Sequence, residues 1–176
     1  MNINKFRPKP FKDKPNPMKV KSKNRYHQGF FKPNHPEKYK GDPTQIFARS
    51  SWEISFMLQL DSNPDVIEWG SEVTVLNYIS PIDNRQHRYY TDFTYKKKEN
   101  GKIVNYLIEI KPKAKCSPPK TQKNITKSYI YNVQEWGVNS AKWEAAKAYC
   151  LSKGWVFQIL NEEHLGIDKK GWGKVI

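Results

Sequence analysis

Tyr90-Thr91-Asp92-Phe93, followed fourteen residues on by Leu107-Ile108-Glu109-Ile110-Lys111-Pro112, is the stretch on which the fold turns. Ile103–Lys111 is the clearest strand in the chain, and it stops at Pro112, which has no N–H to give to a ladder. Tyr89–Tyr95 reads as a second strand, and Asn100-Gly101 between the two is a hairpin signal. Side chains two apart in a strand share a face. Glu109 and Lys111 therefore project together, while Ile108 and Ile110 pack on the other side. The length of the turn allows Asp92 to lie across from Glu109 on the neighbouring strand.

Upstream, Val73–Tyr78 reads as a further strand, closed by the turn Ser80-Pro81-Ile82-Asp83-Asn84. Before it, Ser51–Leu60 reads as a helix. Ser50 and Glu53 have the spacing of a capping box, Trp52, Phe56 and Leu60 make one apolar stripe, and Asn63-Pro64 ends it. Downstream, Lys113–Lys123 is a basic, Pro-containing loop. Ile125, Tyr129, Val133 and Trp136 follow at helical spacing, and a helix spans about Ala141–Lys153, capped by Asn139 or Ser140 and stopped by Gly154. Trp155–Leu160 is a last strand, with a short helical turn after it at Glu162–Leu165. The order is helix, three strands, one or two helices, strand. Three strands form an antiparallel meander, and the last, joined through helices, can run parallel to one of them. This is an α/β fold with a mixed sheet of about four strands flanked by helices.

The chain carries 31 Lys and Arg against 17 Asp and Glu, a net charge of +14, which points to a polyanionic partner and a salt-dependent contact with it. Residues 1–40 hold 12 of the basic residues against 2 acids, and 6 of the 12 prolines, and their apolar residues (Phe6, Phe11, Val20, Phe30, Phe31) follow no period. Such a segment buries too little to offset the entropy of ordering it. It reads as a flexible, extended basic arm at 1–40, preceding one domain at 41–176. No apolar run is long enough to span a membrane, and the basic start has no apolar stretch behind it as a secretory signal would. Cys116 and Cys150 read as reduced thiols, with no second Cys or His near either at zinc-ligand spacing.

Hydrolysis of a phosphodiester builds charge on a group that is already anionic, and hard divalent cations held by oxygen ligands relieve it. Two carboxylates on adjacent strands suit that task, and a lysine beside them can orient the attacking water and stabilise the pentavalent state. Each residue also has a plainer reading. Glu109 and Lys111 can be an ion pair on an exposed sheet, Asp92 can end or bulge its strand, and Glu53 can be only the third residue of a capping box. The apolar flanks of Glu109 and Lys111, the hairpin, the helix before it and the helix and strand after it favour a working site, because burying unused charge is costly.

Arranged in this order, Glu53, Asp92 and Glu109-Ile110-Lys111 resemble the PD-(D/E)XK nuclease superfamily with its restriction-endonuclease-like core. Within it the chain is similar to the TnsA-like branch and to the head-completion nucleases of T4-like bacteriophages. The blocks that carry the resemblance include Arg49-Ser50-Ser51-Trp52-Glu53, Trp69-Gly70-Ser71-Glu72, Tyr89-Tyr90-Thr91-Asp92, Ile108-Glu109-Ile110-Lys111-Pro112-Lys113 and Trp136-Gly137-Val138-Asn139, within about residues 38–165. The proline that usually precedes the motif's Asp is replaced by Thr91.

The resemblance implies a Mg²⁺-dependent endodeoxyribonuclease, with Mn²⁺ as an alternative ion. Asp92 and Glu109 would be the metal ligands, Glu53 would complete the site from the helix, and Lys111 would be the catalytic lysine. It further implies action on double-stranded DNA at the phage head or portal, before tail joining, in the host cytoplasm. Lys96, Lys97 and Lys98, in the hairpin loop, and Lys113, Lys115, Lys120 and Lys123, after the third strand, would grip phosphates at the mouth of the site. Tyr89, Tyr90, Trp136 and Trp143 could stack on frayed bases, although helical spacing favours core packing for the two tryptophans. The alternative is a DNA-binding head-completion or plug protein that has lost catalysis, which would have no need of all four polar site residues.

Overall fold

The computed structural model describes residues 28–167. Its centre is a four-stranded sheet made of β3 (Val66–Ser71), β6 (Phe93–Glu99), β7 (Lys102–Ile110) and β8 (Val156–Leu160), which stand side by side in that order. β6 and β7 form the expected antiparallel hairpin around Asn100-Gly101, with both turn residues at positive φ, and β8 runs parallel to β7. Helix α1 (Ser51–Ser62) lies on one face. Phe56, Met57 and Leu60 there bury against Val66, Trp69, Phe93 and Ile108. Helix α2 (Lys127–Lys153) lies on the other, where Ala146 and Cys150 meet Leu107. One strand, β7, thus feeds alternate residues into two cores, as the mixed α/β reading requires.

Three parts of the sequence reading are corrected. The strand expected at 73–78 is β4 (Val75–Ile79), and it pairs with β5 (Gln86–Tyr90) in a separate two-stranded sheet packed against α2. Its place in the meander belongs to β3, which pairs antiparallel with β6 through a bulge between Val66 and Glu68. The single strand expected at 89–95 is broken at Thr91-Asp92 into β5 and β6. The fully buried Thr91 gives both its N–H and its hydroxyl to the carbonyl of Thr74, which pulls the chain off the main sheet. The helix expected from about Ala141 begins much earlier, so that the one or two helices expected after residue 124 are one. Thr126 is its cap, accepting from the Tyr129 N–H at 3.1 Å, and Gly154, left-handed at φ 67°, is its stop. Gly137 lies inside it near Pro81.

Part of the stretch read as an arm also belongs to the domain. β1 (Gly29–Phe30) pairs with β2 (Phe47–Ala48), and Phe31 packs edge-on against Trp69. The Asp61 carboxylate, 1% exposed, accepts from the N–H groups of Asn34 and His35 at 2.7 and 3.1 Å. The Lys38 ammonium caps the end of α1 by donating to the carbonyls of Asp61 and Asn63, both at 2.9 Å. The rest of the arm, residues 1–27, lies outside the described residues.

Candidate active site

The break between β5 and β6 is what builds the site. The register Phe93↔Ile108 sets Asp92 opposite Glu109, one step beyond the last ladder pair. Asp92 is tied there from two sides. Its Oδ2 accepts from the Ile110 N–H at 2.6 Å, and its carbonyl accepts from the Glu72 N–H at 3.0 Å. Glu109, 3% exposed, takes the Tyr89 hydroxyl on Oε2 at 2.6 Å and the Lys111 ammonium on Oε1 at 3.0 Å. The backbone of Lys111 is fixed in turn by its N–H donating to the Leu160 carbonyl at 2.8 Å. The predicted facing holds: Glu109 and Lys111 share one side while Ile108 and Ile110 turn to the α1 core.

The electrostatics follow from crowding. Asp92 keeps part of its surface open, but protein packs closely round its carboxylate. That burial, with the charge of Glu109, pushes its pKa up to about 8, against the pull of the Ile110 N–H and Lys111. Burial works against the Lys111 ammonium, but the field and hydrogen bond of Glu109, with Asp92 and Glu135 behind them, more than offset it and hold its pKa above the ordinary value. Tyr89 is driven far above the phenolic range by burial and by Glu109, so it stays a donor.

Glu53 faces the cluster from the first turn of α1, near enough for its charge to add to the upward push on Asp92. Its carboxylate is engaged in the capping box: Oε2 accepts from the Arg49 N–H and Oε1 from the Ser50 hydroxyl, both at 2.9 Å. Among the described residues no three acidic, His or Cys side chains converge closely enough to enclose an ion. The structure brings together Asp92, Glu109 and Lys111, with Glu53 at their edge. Asp92 and Glu109 are hard oxygen donors with no soft ligand among them, which is the donor chemistry of Mg²⁺ and Mn²⁺.

The lysines fall into two groups. Lys96, Lys97 and Lys98 are strand residues of β6, not loop residues, at the end of the hairpin away from Asp92. Lys96 and Lys97 there pair with Glu68 and Glu99, each at 3.1 Å. Lys113, Lys115 and Lys120 do follow the site strand. Lys113 pairs with Glu163 at 2.7 Å, Lys115 with Glu135 at 2.6 Å, and Lys120 and Lys123 are exposed. Trp143 is buried, as its spacing suggested, whereas Trp136 is half-buried.

Sequence reasoning missed Tyr89 as a partner of Glu109, since the broken strand that aims it inward was read as continuous. It also left Glu72 without a role. Glu72, at φ 54°, clamps the Arg49 guanidinium through two bonds of 2.7 and 3.0 Å, linking the start of α1 to the loop that holds Asp92.

Residues 63–162 match the family model described as TnsA-like endonuclease N terminal, and with more than half its length inside that match the chain belongs to the TnsA-like endonuclease family. The matched span carries Asp92, Glu109 and Lys111 and begins after Glu53. The chain is also similar to a protein of Enterobacteria phage T4, the head completion nuclease. The two are 36% identical over 143 residues, which cover 79% of this chain and 93% of the relative.

Proposed function

We propose that this protein is a divalent-metal-dependent DNA endonuclease that acts in completing phage heads, trimming packaged DNA at the portal before the tail joins. The observation that carries the chemistry is the Asp92–Glu109–Lys111 cluster, in which a carboxylate 3% exposed is held between a tyrosine hydroxyl and an ammonium. The place of action rests on the similarity to the head completion nuclease of phage T4.

Asp92 and Glu109 would hold Mg²⁺ or Mn²⁺, with Glu53 contributing from α1. When bound, the ion would offset the charge of the scissile phosphate and lower the pKa of its water. Lys111, kept protonated by Glu109, orients the attacking water and faces the charge that grows on the phosphoryl oxygens. Tyr89 holds Glu109 in one rotamer. Lys113 and Lys120 lie on the chain leaving the site and would meet backbone phosphates on one side of the cut, while Lys115 is held by Glu135. Lys96, Lys97 and Lys98 would meet them at the far end of the hairpin. No helix among the described residues is long and apolar enough to cross a membrane; the proposed place of action is the host cytoplasm.

The deciding measurement is cleavage of linear and supercoiled duplex with Mg²⁺ or Mn²⁺, beside an EDTA control. Asp92→Ala, Glu109→Gln and Lys111→Met should each lower the rate by about a hundredfold or more while keeping the native circular dichroism. Robust cutting by any of the three would remove the proposed site. Binding without cutting by the wild type would favour the non-catalytic plug.

A further inference from the structure

Past Lys111 the chain leaves the sheet, and the loop that follows stands off α2 to leave a cleft of about 320 Å³. The cleft adjoins the site. Lys115 is four residues beyond Lys111, and the Cys116 thiol lies against the carbonyls of Lys111 and Pro112 at 3.7 and 3.4 Å. Glu135 on its helix wall binds the Lys115 ammonium at 2.6 Å.

The lining is unusual in its chemistry. Asn139, only 5% exposed, lines the cleft, and its amide, which no hydrogen bond among the described residues engages, keeps its access to solvent there. An amide that opens into a cleft with its donor and acceptor both free can pair with a ligand seated there. Asn132 and Gln122 add further amide groups. Trp136 forms part of the wall and is braced edge-on by Trp143, at 5.6 Å and 79°, so its ring is held in place. Lys115 is neutralised by Glu135, which leaves the interior without net charge, while Lys120 is exposed at the rim. Neutral amides and an aromatic wall inside, with a cation at the edge, suit a nucleobase rather than a phosphate.

We propose that this cleft seats one unpaired nucleobase of the strand being cut, next to the scissile phosphate. The enzyme then acts where a duplex frays or ends in a single strand, since a stacked and paired base cannot offer its edge to Asn139. This rests on the nuclease reading above and adds the form of DNA that the site takes.

The test uses two duplexes of one sequence, fully paired or with a short unpaired tail carrying 2-aminopurine, and the full chain in EDTA so that nothing is cut. The wild type should bind the tailed duplex about tenfold more tightly or better, with a change in 2-aminopurine fluorescence. Asn139→Ala and Gln122→Ala should each bring that preference close to one while leaving affinity for the paired duplex as it was. Gln122 is exposed, so its variant keeps the reading independent of folding. Equal wild-type affinity for the two duplexes, or a preference that survives both substitutions, would overturn the proposal. Cleavage of the same duplexes with Mg²⁺ separates the two readings. Equal cutting of both would leave the nuclease and remove the cleft's role, and preferential binding with no cutting would do the reverse.

Discussion

At the scale of single residues, the site is a problem in placing like charges together. Tyr89 bears on it directly. Tyr89→Phe removes the donor at 2.6 Å from Glu109. It should cost about 2 kcal/mol of stability by urea denaturation and lower activity or metal affinity by about tenfold to a hundredfold. Asp92 makes the metal-free protein sensitive to pH. Its pKa of about 8 in the fold, against ~3.9 in an unfolded chain, means the native state holds the proton across that window. Its contribution to stability is therefore complete below about pH 4, falls as pH rises towards about 8, and is flat above. Melting curves of the metal-free protein between about pH 5 and about pH 9 should show that fall, and Asp92→Asn should flatten it. The meeting of Asp92, Glu109 and Lys111 was legible in the sequence because a period of two and a hairpin turn fix facing and register without any tertiary information. Tyr89 was not, because its direction depends on the contact of Thr91 with Thr74, two residues far from each other in sequence.

At the scale of elements, the two helix caps have different work to do. Ser50 accepts from the Glu53 N–H at 3.2 Å and donates to the Glu53 carboxylate, so the cap of α1 also aims a residue of the proposed site. Thr126 at the start of α2 only caps. Ser50→Ala and Thr126→Ala should each cost about 1 kcal/mol in denaturant titrations. Cleavage should fall for Ser50→Ala alone, and an equal effect of the two on cleavage would argue that Glu53 acts only structurally. The elements that escaped sequence reading share a physical cause. β3 is six residues containing Gly70 and a bulge, so its alternation is interrupted. α2 contains the buried Asn139, which reads as a cap, yet packing against β4 and β8 keeps the helix continuous through it.

At the scale of the molecule, basic charge is concentrated near the start of the chain. Residues 1–27 carry 9 Lys and Arg against one Asp, a net of +8. Residues 28–40 are built into the core by Phe31, by the Asp61 carboxylate and by Lys38. Deleting 1–27 should therefore leave the melting temperature near that of the full chain while weakening DNA binding and flattening its salt dependence. Deleting 1–37 should in addition cost about 2–4 kcal/mol, because Asp61 loses two N–H donors while remaining buried. Melting and filter-binding measurements on the two truncations separate these effects, and equal stability of both would show that 28–37 contribute nothing to the fold.

The parallel pairing of β7 with β8 has a consequence in time. Lys111 is fixed by the Leu160 carbonyl, and Lys113 by the Glu162 carboxylate, both supplied some fifty residues later in the chain. The β6–β7 hairpin closes within microseconds of leaving the ribosome, but at roughly 5–20 residues per second β8 follows only after about 2–10 s. During that interval Asp92 and Glu109 are already made, while the Lys111 backbone lacks the Leu160 carbonyl that holds it in the fold. The geometry of Lys111 beside Glu109 therefore waits on β8, and the order of synthesis sets when it can be completed.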